Sequence, residues 1–167
     1  MPSILFVCTA NQFRSPLAAL CFCKVLAHNR PAGKWVVDSA GTWAKDGLPP
    51  QPFMLKTASR LGLQGFDHQH SQRVNLKLMD QSDLIIVMET GHKEALCSEF
   101  QGAQKRIFLL SEIADGSVYD VPDPATVRVD PDDIADQINR LVNKGFKRII
   151  QAAEYFERAR KANPDSS

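Results

Sequence analysis

Long apolar runs are missing from this sequence. None approaches the roughly 20 residues that a membrane-spanning helix requires, so no membrane is expected among its partners. The run Ile4 to Val7 is too short for the apolar segment of an export signal and lacks a basic leader. Charge of one sign is missing too: 20 basic and 19 acidic residues leave a formal net charge of +1. That balance argues against nucleic acid as a partner, and any bound anion must be held by a local site. Cysteine is sparse, with Cys8, Cys21, Cys23 and Cys97 alone. Without an export signal, free thiols in a reducing compartment are expected rather than two disulfides, and the expected location is cytoplasmic. Internal repeats, low-complexity segments and interior linkers are also absent. The chain therefore reads as one domain over residues 1–162 with a polar tail at 163–167, and 44% hydrophobic residues suffice for its core. Nothing in the sequence sets an oligomeric state.

What is present alternates in type. Ile4 to Val7 is continuous and apolar, as expected for a strand buried on both faces. After a polar loop, Ser15-Pro16 opens a helical stretch to about Asn29, with Ser as the preferred cap and Pro as the preferred first residue. Trp35 to Ser39 reads as a second strand, ended by Gly41. Pro52 to Leu61 reads as a helix stopped by Gly62. Asp83 to Met88 is the clearest buried strand, His92 to Phe100 a helix, and Arg106 to Leu110 a fourth strand. Asp115 to Val129 is a long loop rich in Asp and Pro. From Asp130-Pro131 a last helix runs to about Lys161, with Gly145 marking an expected bend. Strands alternating with helices imply parallel pairing, hence an α/β fold with a small doubly wound sheet. The long loop is the one extended irregular connection, and such loops are often functional.

In parallel sheets, ligands bind at the carboxyl ends of the strands. The first strand delivers Cys8 to that edge, and the helix near Ser15 aims its N-terminus there. Backbone N–H groups from Thr9 to Ser15 can converge on an anion, helped by the helix dipole. Arg14, six residues after Cys8, can hold two phosphate oxygens at once. The same positive surroundings favour a thiolate at Cys8, and Ser15 can donate its hydroxyl to the sulfur. Cysteine is often just a small buried hydrophobe, and Cys-x5-Arg recurs by chance. The strand, loop and Ser-Pro helix start around it are what single this match out. A reaction at phosphorus also needs an acid to protonate the leaving group. Asp115, Asp120, Asp123 and Asp130 are the candidates. Asp123 is favoured because Pro122 and Pro124 stiffen the chain around it.

Cys8-Thr9-Ala10-Asn11-Gln12-Phe13-Arg14-Ser15-Pro16, directly after the strand, resembles the low-molecular-weight protein tyrosine phosphatases. Asp38-Ser39-Ala40-Gly41-Thr42 is similar to that family's Ser-Ala-Gly segment, and His70-Ser71-Gln72-Arg73 to its His-x-x-Arg. Asp83 to Met88 resembles the third strand, and Val121-Pro122-Asp123-Pro124 the acid loop. The resemblance implies a single-domain, four-stranded parallel sheet flanked by helices, with the phosphate loop after the first strand. It implies that Cys8 attacks phosphorus to form a phosphocysteine, that Arg14 and the loop amides bind the equatorial oxygens, and that Asp123 protonates the leaving group and then activates water. Asn11, Ser15, Ser39 and His70 match the hydrogen-bond network that shapes the loop; Asn also tolerates positive φ better than most residues. No metal and no cofactor is implied, and the implied partner is a phosphorylated protein.

The departures concern the walls of the site. Phe13 stands where the family usually has a second cysteine, which removes a protective disulfide with the nucleophile. Gln12 replaces a common Ile, and Ala125 replaces the aromatic after Asp-Pro, so apolar grip on a phenyl ring is lost. Trp43 can supply one wall of the substrate pocket. The expected activity is protein tyrosine phosphatase. Its nearest rival is protein arginine phosphatase, since some family members with a polar residue at the Gln12 position act on that group. A module that binds phosphorylated partners with weak turnover is a third reading. Arsenate reduction needs two further reactive cysteines, whereas Cys97 stands alone and Cys21 and Cys23 sit in the first helix as expected core residues.

Overall fold

A computed structural model describes residues 1–29, 31 and 33–162, so the polar tail at 163–167 lies outside the described residues. The elements in chain order are β1 (Ser3–Cys8), α1 (Arg14–Asn29), β2 (Val36–Gly41), α2 (Pro52–Arg60), α3 (Leu76–Gln81), β3 (Leu84–Val87), α4 (Thr90–Glu99), β4 (Ile107–Leu109), α5 (Leu110–Asp115) and α6 (Pro131–Ala162). The strands form one parallel sheet in the order β2-β1-β3-β4. β1 and β3 are thus central and covered on both faces. Their unbroken apolar sequences follow from that, because neither face of either strand meets water.

Strand alternation sorts β1 between two cores. Ile4, Phe6 and Cys8 face α1 and α6, in a cluster with Leu17, Phe22, Ile138 and Val142. Leu5 and Val7 face the opposite side with Ile85, Val87, Met79 and Leu96. Burying side chains of this size stabilises the fold by roughly 1.5–3 kcal/mol each. Cys8 is therefore the last inward residue of a central strand, anchored beneath the sheet edge by the packing of Phe6 before it.

Several boundaries differ from the sequence reading. α1 begins at Arg14, so Ser15 is inside the helix rather than capping it. The six-residue helices α3 and α5 are too short to show a helical period, and they fall where no helix is expected from sequence. Asp115 therefore closes α5 instead of opening the loop. α6 is one continuous helix through Gly145. A Cβ there would lie 2.9 Å from Ala114 Cα, so this glycine admits the backbone of α5 against α6 rather than marking a bend. Cys21 is buried, as expected of a core residue, but Cys23 is exposed. No helix among the described residues is long and apolar enough to cross a membrane.

Candidate active site

The loop between β1 and α1 closes on itself through local chemistry. Cys8 pairs in register with Gly41, and the chain after β2 is tied back by Thr42 N–H to the Cys8 carbonyl and Trp43 N–H to the Thr9 carbonyl, both at 2.9 Å. Gly41 is required here. A Cβ would lie 2.4 Å from the Thr9 carbonyl oxygen and 3.0 Å from the Asn11 nitrogen. Asn11 takes φ +55°, the left-handed region in which Asn is tolerated. Its buried amide donates to Ser15 Oγ and Ser39 Oγ at 2.9 Å each, and its carbonyl oxygen accepts from Gln72 N–H at 2.9 Å. Ser15 Oγ lies 3.0 Å from Cys8 Sγ and 3.2 Å from the Ala40 carbonyl. Once the sulfur is a thiolate, Ser15 can only be the donor in that pair.

Arg14 is 2% exposed, yet every bond it makes is to an acceptor around the loop. Nη1 donates to Glu89 Oε1 and to the Val121 carbonyl at 2.8 Å, while Nη2 donates to Asp123 Oδ2 at 3.0 Å and to Thr9 Oγ1 at 3.4 Å. The acid loop is fixed from three sides. Val121 is fully buried and its N–H donates to the Met88 carbonyl at 2.8 Å. Asp120 accepts from Thr90 N–H at 2.7 Å, and Asp123 Oδ1 accepts from Ala125 N–H at 2.9 Å. Of the four Asp candidates, Asp123 alone reaches the Cys8 loop. Asp115 is held by Ser117 N–H and Tyr119 Oη–H, which lower its pKa, and Asp130 accepts from Asp132 N–H at the start of α6.

One expected support is misplaced. His70 is exposed, with Nδ1 3.3 Å from the His68 carbonyl, and no described hydrogen bond joins it to the loop. The segment instead reaches the loop two residues later, through backbone: Gly41 bridges to Arg73, Gly41 N–H donates to the Gln72 carbonyl, and Gln72 N–H serves Asn11. Extended backbone alongside β2 can satisfy Asn11 without a side chain, so the histidine is free to point outward. The histidine that does touch the loop is His92, 6% exposed, whose Nε2 lies 2.8 Å from Thr9 Oγ1. Burial, and then Arg14, lower its pKa. His92 and Glu89 carry no motif signal of their own; their position just after a buried strand of a parallel sheet was the available clue.

At the rim, Gln12 Nε2 donates to the Pro49 carbonyl at 3.3 Å. Trp43 is 79% exposed, with the Arg73 guanidinium 5.9 Å from its ring centroid. Phe13 is buried and meets Phe53 of α2 edge-on, centroids 5.0 Å apart. Among the described residues, no group of three His, Cys, Asp or Glu side chains converges to hold a metal. Cys21 is unsuited to a redox relay, since burial, offset only partly by Lys24, pushes its thiol up to about 12. A cradle of this kind is suited to a tetrahedral anion over a sulfur, beside an arginine and a carboxyl group.

Residues 3–163 match the family model described as low molecular weight phosphotyrosine protein phosphatase. The protein-arginine-phosphatase of Geobacillus stearothermophilus is 30% identical over 146 residues, covering 84% of this chain and 94% of that protein. The low molecular weight protein-tyrosine-phosphatase YfkJ of Bacillus subtilis is 34% identical over 127 residues, covering 74% of this chain and 81% of that one. A structure of the YwlE arginine phosphatase, a cysteine-to-serine mutant with a phosphorylated active-site serine, superposes with a TM-score of 0.78 at 26% identity, covering 95% of this chain and 98% of that one.

Proposed function

The chain belongs to the low-molecular-weight phosphotyrosine protein phosphatase family, and from that premise we propose that it hydrolyses phosphotyrosine in proteins with Cys8, Arg14 and Asp123 as its catalytic residues. The observation that carries this assignment is the convergence of the distant Asp123 on the loop of Cys8 and Arg14: Cys8 Sγ lies beside Ser15 Oγ at 3.0 Å, and Arg14 is bonded to Asp123 at 3.0 Å over the same loop.

Cys8 attacks phosphorus as a thiolate, and the bond from phosphorus to the tyrosyl oxygen breaks as the sulfur–phosphorus bond forms. Arg14 and the amides from Thr9 to Ser15 hold the three non-bridging oxygens where charge builds up. Asp123, protonated, gives its proton to the departing phenolate. The resulting carboxylate then takes a proton from water as that water attacks the phosphocysteine, which releases inorganic phosphate and the Cys8 thiolate. Binding of the phosphoryl group draws on Arg14, which loosens its pairing with Asp123 and makes the carboxyl available to the leaving group. Cytoplasmic residence belongs to the same reading. The nucleophile must stay reduced, and all four cysteines are unpaired.

Phosphoarginine is the second substrate reading. It is favoured by the polar Gln12 at the rim and by the name of the Geobacillus relative. Release of phosphate from p-nitrophenyl phosphate, a phosphotyrosine peptide and a phosphoarginine peptide decides between them. Wild type is expected to turn over the phosphotyrosine peptide with the higher kcat/KM; the reverse order selects the second reading. Cys8→Ser is expected to be inert, and hydrolysis surviving in it overturns the mechanism. Wild type that binds phosphopeptide without releasing phosphate makes the protein a binding module instead.

A further inference from the structure

His92 occupies an unusual place for a buried histidine. It sits in the first turn of α4, and both of its ring nitrogens have partners. Glu89 N–H donates to Nδ1 at 3.1 Å, so that nitrogen carries no proton. The proton of the neutral ring must then be on Nε2, which lies 2.8 Å from Thr9 Oγ1 and donates to it. Thr9 Oγ1 also accepts, at longer range, from Arg14 Nη2. The Thr9 hydroxyl therefore has its acceptor side filled by His92 and Arg14. Its own proton has no acceptor among the described hydrogen bonds. It lies on the first residue of the phosphate loop, next to the guanidinium that binds the anion.

We propose that His92 is a positioning residue of the phosphate site: locked as the Nε2–H tautomer by the Glu89 amide, it orients the Thr9 hydroxyl so that this hydroxyl donates to the bound phosphoryl group. The inference rests on the phosphatase reading above and deepens it by one donor. Burial and the nearby Arg14 keep His92 neutral at ordinary pH, which maintains the tautomer. The alternative is that His92 merely closes the first turn of α4 through its bond with Glu89.

Two substitutions separate these roles, because Asn places an acceptor near Nδ1 while Gln places a donor near Nε2. His92→Asn keeps the Glu89 bond and loses the Thr9 bond; His92→Gln does the opposite. The expected result is that His92→Asn stays folded and melts no lower than His92→Gln, since each loses one bond, but binds inorganic phosphate more weakly than wild type. The loss should be roughly two- to tenfold, the worth of one hydrogen bond, with a matching rise in KM. Thr9→Val should show the same loss, and Thr9→Val/His92→Asn should be no worse than either alone. His92→Gln should bind phosphate like wild type, and imidazole 15N spectra of wild type should show the proton on Nε2. Wild-type phosphate affinity in His92→Asn, additive losses in the double variant, or a proton on Nδ1 would each overturn the proposal. Phosphate affinity is read from amide chemical shifts, so it tests His92 even if wild type proves inert. An inert wild type strikes the phosphatase reading instead.

Discussion

Asn11 satisfies three partners from one side chain, and it does so at a φ of +55° that few residues accept. Asn11→Ala removes those bonds and leaves Ser39 and the Gln72 amide to find others. A loss of about 2–4 kcal/mol is expected by chemical denaturation, together with a fall in kcat because the loop no longer holds its shape. Gly41→Ala forces a Cβ into the Thr9 carbonyl, which is backbone and cannot swing aside. Overpacking of this kind costs about 1–3 kcal/mol. Here it should also raise the apparent Ki for inorganic phosphate, measurable by competition against p-nitrophenyl phosphate. Phe13 has a different consequence. No second cysteine lies within the loop to trap a sulfenic acid at Cys8, so excess peroxide should carry that sulfur on to the sulfinic acid, which dithiothreitol does not reverse. In Phe13→Cys, reversal by dithiothreitol should return, since a neighbouring thiol condenses with the sulfenic acid to a disulfide and water. Unchanged irreversibility in that variant would show that loop geometry, rather than residue identity, governs the outcome.

At the scale of elements, the site depends on three seams: β1 against β2, the turn from β3 into α4, and the docking of α5 on α6. The first two shape the phosphate loop, through Gly41 and through Glu89 with His92. The third is structural. α6 is 32 residues long and presents Gly145 to the Ala114 backbone. Gly145→Ala gains helix propensity but must push α5 away, and α5 leads into the chain that carries Asp123. The expected balance is a loss of about 1–3 kcal/mol in thermal or urea unfolding, with kcat changed less than stability because Val121 and Asp120 are pinned independently of α5.

The whole molecule should lose stability in acid for two reasons of the same sign. Glu157 pairs with Lys161 and the N-terminal amine, which hold its carboxyl down to about 2 against an ordinary 4.5. Its stabilisation is complete above 4.5 and is lost as pH falls towards about 2. His92 has its pKa lowered from 6.5, facing Arg14 on one side and Glu89, Asp120 and Asp123 on the other. Below 6.5 the unfolded chain takes up a proton that the folded one refuses, so folding becomes less favourable as pH falls to the lowered value. Unfolding titrations should show His92→Asn with a flatter slope just below pH 6.5, and Glu157→Gln with a flatter slope between 4.5 and 2.

The eight residues from Cys8 to Ser15 were legible because their chemistry is local. A buried strand, a loop of converging amides and a helix start all lie within one short segment, and covalent continuity alone brings them together. The alternation of strands and helices was legible for the same reason, through apolar periods and turn residues. The long-range partners were not. Asp123 was singled out only by stiff neighbours and a family likeness, whereas the structure distinguishes it from Asp115, Asp120 and Asp130 by a 3.0 Å bond to Arg14 across 109 positions. His70 matched a motif and yet faces solvent, while Gln72 supports Asn11 through backbone that any residue type supplies. Glu89 and His92 left no pattern at all, because a capping turn after a strand becomes part of a site only when packing lays it against another loop. The reaction-bearing loop and the sheet that carries it follow from local residue patterns, since both are written in neighbouring residues. Which side chains hold Arg14, Thr9 and Asn11 in place was decided by tertiary structure, since those contacts depend on register between strands and on the docking of segments far apart in the chain.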